Sequence, residues 1–194
     1  KNKPADINKA AGSTCPQPEL DVLQKQLSDG QLMTARKSVE GLLAKYPHDP
    51  AVALLSARLY SKMGLSALAI IQFERVRRSY PYMVEPLIAL ARLHLENLST
   101  SLAVNLAEDA VHIEPSNKEA QLVLVDALIS NQSLRRARQQ ANKLLDLYPN
   151  DAQVLHANAE VSQAEGDLER AQRFLEVAAS RAPERLSWQI ELAG

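Results

Sequence analysis

The sequence has a single cysteine, Cys15, which excludes an internal disulfide and a cluster of thiolate ligands, and which leaves the redox compartment open. Histidine is also scarce. His48, His94, His112 and His156 are spread along the chain, and none forms a metal-ligand spacing with another histidine, the cysteine or a carboxylate pair. We therefore predict no metal site and no cofactor.

Motifs of catalysis are missing as well. The sequence contains no glycine-rich phosphate loop, no nucleophile elbow and no signature of a nucleotide pocket. These absences predict that the chain is not an enzyme and has no catalytic residues.

The sequence has no large excess of positive or negative charge, since 22 basic and 23 acidic residues give a net charge of −1. This balance removes the general attraction on which binding to nucleic acid depends. Two arginine clusters, at 75–78 and 135–138, have acidic residues such as Glu74 and Asp146 nearby, and we interpret them as solvated surface. No run approaches the 18 or so apolar residues of a membrane-spanning helix. We predict no nucleic-acid partner and no transmembrane segment.

Glycine and phenylalanine are rare, with 6 and 2 residues, and this favours a helical array over a sheet. Prolines, in contrast, recur every 34 residues, and an alanine lies twelve residues before each of them. The prolines are Pro47, Pro81, Pro115, Pro149 and Pro183, and the alanines are Ala35, Ala69, Ala103, Ala137 and Ala171. Two sets of residues that share one period predict a repeat.

Each repeat contains two helices. Positions eight and five residues before the proline are apolar, as in Phe73 and Val76, and this spacing follows one face of a helix. Another apolar position, 24 residues before the proline, lies in an earlier helical run, for example at Ala57. We refer to the two helices of a repeat as its first and second helix.

This 34-residue pattern resembles the tetratricopeptide repeat. The copy in residues 50–83 matches the family pattern in order at Ala57, Tyr60, Gly64, Ala69, Phe73 and Pro81. The early tryptophan of the family is absent, and Glu19, Ala53, Leu87, Gln121 and Leu155 stand in its place. The turn glycine is present in three copies only, as Gly30, Gly64 and Gly166.

The resemblance implies an all-α fold, a right-handed α-solenoid of tandem helix-turn-helix repeats. We place this domain at residues 18–194, after a flexible polar tail or linker at residues 1–17. The repeats span about residues 16–49, 50–83, 84–117, 118–151 and 152–185, and residues 186–194 form a further helix. Asn158 and Ser162 occupy positions that are apolar in other copies, so we expect hydrogen bonds there.

In this family the first helices line a concave groove, and the resemblance implies a set of groove residues. Carried over position by position, they are Leu20, Leu27, Leu54, Arg58, Lys62, Ile88, Arg92, Leu95, Leu122, Asp126 and Ile129. Two alternatives stay open. The leucines could serve only to pack adjacent first helices, and the arginines could form ordinary surface pairs with Asp126 or Glu85.

The groove residues predict a protein or peptide partner, either an apolar segment with an acidic end over Arg58 and Arg92 or an amphipathic helix. The residues of the family's chaperone-tail clamp are absent, since Leu20, Gln24, Leu55, Glu85 and Ala89 stand at those places. Binding of that type is disfavoured.

The leading hypothesis is a non-catalytic interaction module that acts as a scaffold or adaptor in a larger assembly. The alternative is a structural spacer that self-associates through its ends and convex face, and the apolar run near Trp188 motivates it. The sequence assigns no compartment. Because it begins at Lys1 rather than Met, we expect an exported or membrane-anchored bacterial protein, with a piece cut from a longer polypeptide as the alternative.

Overall fold

The computed structural model describes residues 14–185, 187 and 188, and in them it contains ten complete helices and no strand. The predicted all-α fold is therefore confirmed. The first helices are α1 (Gln17–Ser28), α3 (Pro50–Lys62), α5 (Val84–Glu96), α7 (Lys118–Ser130) and α9 (Ala152–Ala164). The second helices are α2 (Leu32–Lys45), α4 (Ser66–Ser79), α6 (Thr100–Ile113), α8 (Leu134–Leu147) and α10 (Leu168–Arg181).

The predicted segments at the two ends lie mostly outside the described residues. Of the predicted tail at residues 1–17, residues 14–16 precede α1 and Gln17 is its first residue, while residues 1–13 lie outside the described part of the chain. In the predicted helix at 186–194, residues 187 and 188 are helical, while 186 and 189–194 lie outside the described part of the chain.

The helices form two compact units, Lys1–Pro86 and Leu87–Gly194. In unit 1, α1 packs against α2 and α3, and α3 packs against α2 and α4. In unit 2, α7 packs against α6, α8 and α9, while α9 also contacts α8 and α10. Each unit thus combines contacts within a helical pair and contacts between successive first helices, which is the packing pattern of stacked repeats.

Each second helix ends two residues before the repeated proline, at Lys45, Ser79, Ile113, Leu147 and Arg181. The residue that precedes the proline leaves the helical region, with φ −127° and ψ 61° at Tyr46 and φ −134° and ψ 70° at Tyr80. A proline disfavours the helical conformation in the residue before it. The prolines therefore end the second helices, as the sequence predicts.

Each first helix is followed by a residue with a left-handed backbone, and only three of the five residues are glycine. The φ angles are 71°, 70° and 82° at Gly30, Gly64 and Gly166, and 57° and 58° at Leu98 and Gln132. The two copies without glycine therefore turn in the same way as the others. Because a side chain crowds the backbone in this region, Leu98 and Gln132 are strained.

The hydrogen bonds of this turn show why the conformation is kept. The amide of Ser99 donates to the carbonyl of His94 at 2.8 Å, and the amide of Leu98 donates to that of Leu95 at 3.0 Å. Together they form a Schellman-type turn, which satisfies carbonyls that the end of a helix leaves open. The same pair of bonds closes α3, α7 and α9, and the first of the two also closes α1.

The alanines of the second helices occupy tightly packed positions. Ala35, Ala69, Ala103 and Ala137 expose no surface, whereas Ala171 is half-buried. The separation of two packed helices depends on the side chains at their contact. A small residue at this position therefore permits close packing in the first four repeats.

Two buried polar residues of α9 have the hydrogen bonds that the sequence predicts. The Nδ2 group of Asn158 donates to the carbonyls of Ala141 on α8 (3.1 Å) and Val154 on α9 (2.9 Å). The hydroxyl of Ser162 donates to the carbonyl of Asn158 at 2.8 Å. Asn158 thereby ties α9 to α8 within unit 2.

The buried alanines generate the first prediction. We expect Ala69→Leu or Ala103→Leu to lower the free energy of unfolding by about 1–3 kcal/mol, because the larger side chain overpacks the helix contact. Ala171→Leu is the matched control, since its site is half-buried and should accept the larger side chain at less cost. Urea denaturation measures all three, and an equal loss in Ala171→Leu would contradict the packing role.

The strained turn generates the second prediction. Leu98→Gly should stabilise the chain by about 0.5–1 kcal/mol, because glycine adopts a positive φ without steric cost. Leu98 is 85% exposed, so its side chain contributes little burial. Leu98→Ala removes the same side chain and keeps the strain, so it should give no such gain. A gain of equal size in both variants would show that the strain is not the cause.

Candidate functional site

The eleven predicted groove residues fall in both units, and each unit is described by itself. Unit 1 carries Leu20, Leu27, Leu54, Arg58 and Lys62 on α1 and α3, and unit 2 carries Ile88, Arg92, Leu95, Leu122, Asp126 and Ile129 on α5 and α7. In unit 2 the corresponding positions of α9 are His156 and Glu160.

Three of the predicted groove residues are core residues. Leu20, Leu27 and Ile88 expose 8%, 4% and 5% of their surface, and Leu20 and Leu27 belong to the apolar core of unit 1. A side chain with so little exposed surface offers a partner almost no contact area. For these three residues the structure supports packing, which is the alternative that the sequence leaves open.

The other apolar groove residues keep part of their surface exposed. Leu54 in unit 1 and Leu95, Leu122 and Ile129 in unit 2 are each half-buried. Leu122 and Ile129 are seven residues apart on α7, and this spacing of two turns places them on one side of the helix. Asp126 lies between them on the same side.

Both groove arginines have acidic partners in their own unit. The guanidinium of Arg58 pairs with the carboxylate of Glu85, and Nη1 of Arg92 lies 2.8 Å from Oε1 of Glu119. The pair with Glu85 is the surface pair that the sequence leaves open as an alternative for Arg58. Because these side chains are substantially exposed, the pairs contribute little stability. They place an acidic side chain beside each arginine, so an acidic partner segment would compete with Glu85 and Glu119 for these positions.

Asp126 has an unusual environment for a carboxylate. It is half-buried, and within the described residues it has no hydrogen bond and no salt bridge. Burial raises the pKa of Asp126 to about 7, with a further contribution from the negative charge of Glu160, while Arg92 and His156 act in the opposite direction. Near neutral pH this carboxyl group is therefore present in both its protonated and its ionised form.

Two stacked aromatic rings lie beside Glu160 of α9. The ring of His156 stacks on that of Trp188 with centroids 4.5 Å apart and an interplanar angle of 16°. Nδ1 of His156 lies 3.5 Å from Oε2 of Glu160, and the Arg185 guanidinium lies 5.2 Å from the centre of the Trp188 ring. The stack with Trp188 thus fixes the position of the His156 imidazole beside Glu160 on α9.

Trp188 is 7% exposed and packs with Leu155, Ala159, Leu175 and Ala178 in the core of unit 2. Trp188 belongs to the apolar run that motivates the spacer hypothesis, and because it is buried it does not present an open surface. The repeat period predicts the burial of Trp188. Positions one to four periods earlier are Val154, Ala120, Pro86 and Val52, and all four are buried.

These observations define one accessible surface, which we name the unit-2 face. It consists of Arg92 and Leu95 on α5, Leu122, Asp126 and Ile129 on α7, and His156 and Glu160 on α9. It combines half-buried apolar side chains with a pair of carboxylates. No helix in the described part of the chain has the length and apolar character needed to cross a membrane.

A helical-repeat array with an accessible first-helix surface is the class of protein that the fold defines, and comparison with known proteins identifies the repeat. Residues 100–161 match the family model for the tetratricopeptide repeat. Residues 100–161 therefore contain the tetratricopeptide repeat that the sequence pattern predicts. A search of curated protein sequences finds no match.

Solved structures extend the same fold to most of the chain. A tetratricopeptide repeat protein of Thermus thermophilus is 19% identical, with a TM-score of 0.75 over 91% of this chain and 96% of that chain. MamA from Desulfovibrio magneticus RS-1 is 16% identical, with a TM-score of 0.75 over 87% and 96% of the two chains. YrrB, a tetratricopeptide repeat protein with an unusual peptide-binding site, is 16% identical, with a TM-score of 0.69 over 90% of each chain. The fold is an all-α helical-repeat solenoid.

The environment of Asp126 generates the third prediction. Its pKa is about 7 in the folded chain, against about 3.9 for an unperturbed aspartate, so between these values only the folded state holds the proton. Stability therefore falls as the pH rises through this window, and the loss is complete above pH 7. Asp126→Asn should raise the melting temperature at pH 8 by about 2–4 °C and leave it nearly unchanged at pH 4.

The control is Asp146→Asn, which removes an exposed acid of α8. Thermal denaturation followed by circular dichroism at pH 4, 6 and 8 compares the two variants with the unaltered chain. If Asp126→Asn gave the same shift at all three values, the raised pKa of Asp126 would be refuted.

Proposed function

We propose that the chain is a non-catalytic interaction module, a scaffold or adaptor, that binds a peptide or a segment of a partner protein on the unit-2 face. The observation that carries this proposal is the position of Leu122, Asp126 and Ile129. Three side chains with accessible surface share one side of α7, a helix whose opposite side is buried in the core.

Energetics favour binding at this surface. Apolar side chains that are already held by neighbours lose little conformational freedom when a partner covers them. Leu122 and Ile129 are half-buried, and α7 contacts both α6 and α8 as well as α9. The surface is therefore preorganised, and the remaining exposed area of each residue contributes to affinity when it is buried.

The similar structures support the class of function. The peptide-binding site named for YrrB belongs to that protein, and at 16% identity its residues do not transfer to this chain. The shared fold supports the same kind of role, in which a first-helix surface holds an extended or helical segment of a partner.

The alternative role is a spacer that makes contacts through its second helices. It is favoured by exposed apolar side chains on those helices, including Ile71 on α4, which is 59% exposed, and Leu147 on α8, which is 62% exposed. Trp188 is buried, so this residue of the C-terminal run does not itself offer a contact surface for this role. We therefore use the second-helix side as the control surface.

The fourth prediction tests the unit-2 face. Selection of a phage-displayed library of 12-residue peptides on the immobilised chain should yield binders, whose affinities are then measured by fluorescence anisotropy. Leu122→Ala should weaken them about fivefold to tenfold, the effect of truncating a contact that contributes about 1 kcal/mol or more.

Leu147→Ala is the matched control, because it truncates the same side chain on the second-helix side. Its binding should equal that of the unaltered chain. Circular dichroism confirms that both variants are folded. Loss of binding in Leu147→Ala with retention in Leu122→Ala would reject the unit-2 face in favour of the spacer role, and a selection that yields no binder would reject peptide binding.

A further inference from the structure

We propose that the unit-2 face selects partner segments that carry a lysine or arginine side chain between apolar residues, with Asp126 and Glu160 receiving the cation. This inference rests on the proposed function and deepens it, because it assigns the chemical class of the partner. It replaces the acidic partner that the sequence suggests.

The net charge of the unit-2 face depends on which of its charged groups already form ion pairs. Arg92 is neutralised by Glu119, with 2.8 Å between the paired atoms, and Nζ of Lys118 lies 2.6 Å from Oδ2 of Asp151. The lysine and arginine side chains of α5 and α7 in this unit are thus already satisfied. Within the described residues Asp126 has no ion pair, and Glu160 faces Nδ1 of His156 at 3.5 Å, a group that is charged only when protonated. With a neutral His156 the surplus charge of the face is therefore negative.

The two carboxylates lie on neighbouring first helices. Asp126 and Glu160 are one 34-residue period apart, so they occupy equivalent positions on α7 and α9, and these two helices pack directly on each other. Packed helix axes are about 8–10 Å apart. The long stem of a lysine or arginine allows its charged group to lie between two carboxylates at that separation while the stem covers apolar surface.

Asp126 lies near charged groups from α5 and α9. The charged groups that act on Asp126 are Glu160 and His156 on α9 and Arg92 on α5, and Arg92 is engaged by Glu119. Because a half-buried carboxylate without a hydrogen-bond partner is costly, a bound cation stabilises it more than it would stabilise an exposed one. The raised pKa of Asp126 follows from the same situation, and a bound cation should lower it.

Apolar side chains flank Asp126, and they favour a cationic side chain of a peptide over a metal ion. Leu122 and Ile129 lie one turn to either side of Asp126 on α7, so apolar side chains that flank the cation meet apolar surface. A divalent metal ion such as calcium needs about six to eight oxygen ligands. Within the described residues there is no group of three side chains that could hold a metal ion. The site is thus suited to an amphipathic peptide segment.

Three synthetic nonapeptides provide the probes. Each has leucine at positions 3 and 7 and serine elsewhere, except at position 5, which is lysine, glutamine or glutamate. In an extended chain, alternate residues share one side and are about 6.6 Å apart, so positions 3, 5 and 7 face the same way. Fluorescence anisotropy measures the dissociation constant of each labelled peptide at pH 6 and pH 8 in low salt.

At pH 8 the lysine peptide should bind the unaltered chain about tenfold more tightly than the glutamate peptide, with the glutamine peptide between them, as expected for charge complementarity at a partly desolvated site. In the double variant Asp126→Asn/Glu160→Gln the three affinities should agree within about twofold. Asp146→Asn on α8 is the control for a general charge effect, and it should keep the preference.

The pH dependence gives an independent result. Binding of the lysine peptide should strengthen severalfold from pH 6 to pH 8, because the cation displaces the proton of Asp126. This change should disappear in Asp126→Asn. Binding that is unchanged by pH in the unaltered chain would contradict the role of Asp126.

The outcomes separate this inference from the proposed function. If the three peptides bind equally and Leu122→Ala weakens all of them, the interaction surface stands and the preference for a cation is overturned. The preference is also overturned if the glutamate peptide binds as tightly as the lysine peptide, or if the lysine preference survives in the double variant. If none of the peptides binds, the inference fails, and the library selection then decides whether the proposed function fails with it.

Discussion

The structure depends on the burial of helix faces that a single helical pair cannot cover. In unit 2, α7 packs against α6, α8 and α9, and the side that carries Leu122, Asp126 and Ile129 keeps accessible surface. Because stacked repeats bury a continuous strip, each first helix must be largely apolar on its packed sides. The side of a first helix that does not pack against other helices is therefore narrow, and its residues are held in place. These properties make it suitable as a binding surface.

Repetition also explains how much of the fold can be predicted from the sequence. The period of the prolines and alanines gives the number of helices, their order and their ends to within a few residues, since a proline acts on the backbone beside it. The turn at Leu98 follows the period although its residue type argues against a left-handed conformation. Its neighbours impose the conformation through the two hydrogen bonds of the Schellman-type turn.

The candidate site is less predictable because its properties arise between repeats. The salt bridges of Arg58 and Arg92 each join residues 27 positions apart, and the two pairs are one 34-residue period apart. The repeat therefore indicates Glu119 as the partner of Arg92 once Glu85 is the partner of Arg58, although each pair joins two different repeats. Burial also differs among equivalent positions, since Leu20 and Leu27 lie in the core of unit 1 while Leu122 keeps exposed surface, although all three occupy groove positions. The burial of Trp188, in contrast, can be predicted from the sequence, because the residues at the equivalent position of the four earlier repeats are all buried.

The central claim is that a partner contacts first helices and not second helices. Hydrogen–deuterium exchange of the chain, with and without a saturating bound peptide from the library selection, tests it most directly. The account predicts that exchange slows in α7 and α9 and stays unchanged in α8 and α10. Protection confined to α8 and α10, with α7 and α9 unaffected, would contradict it.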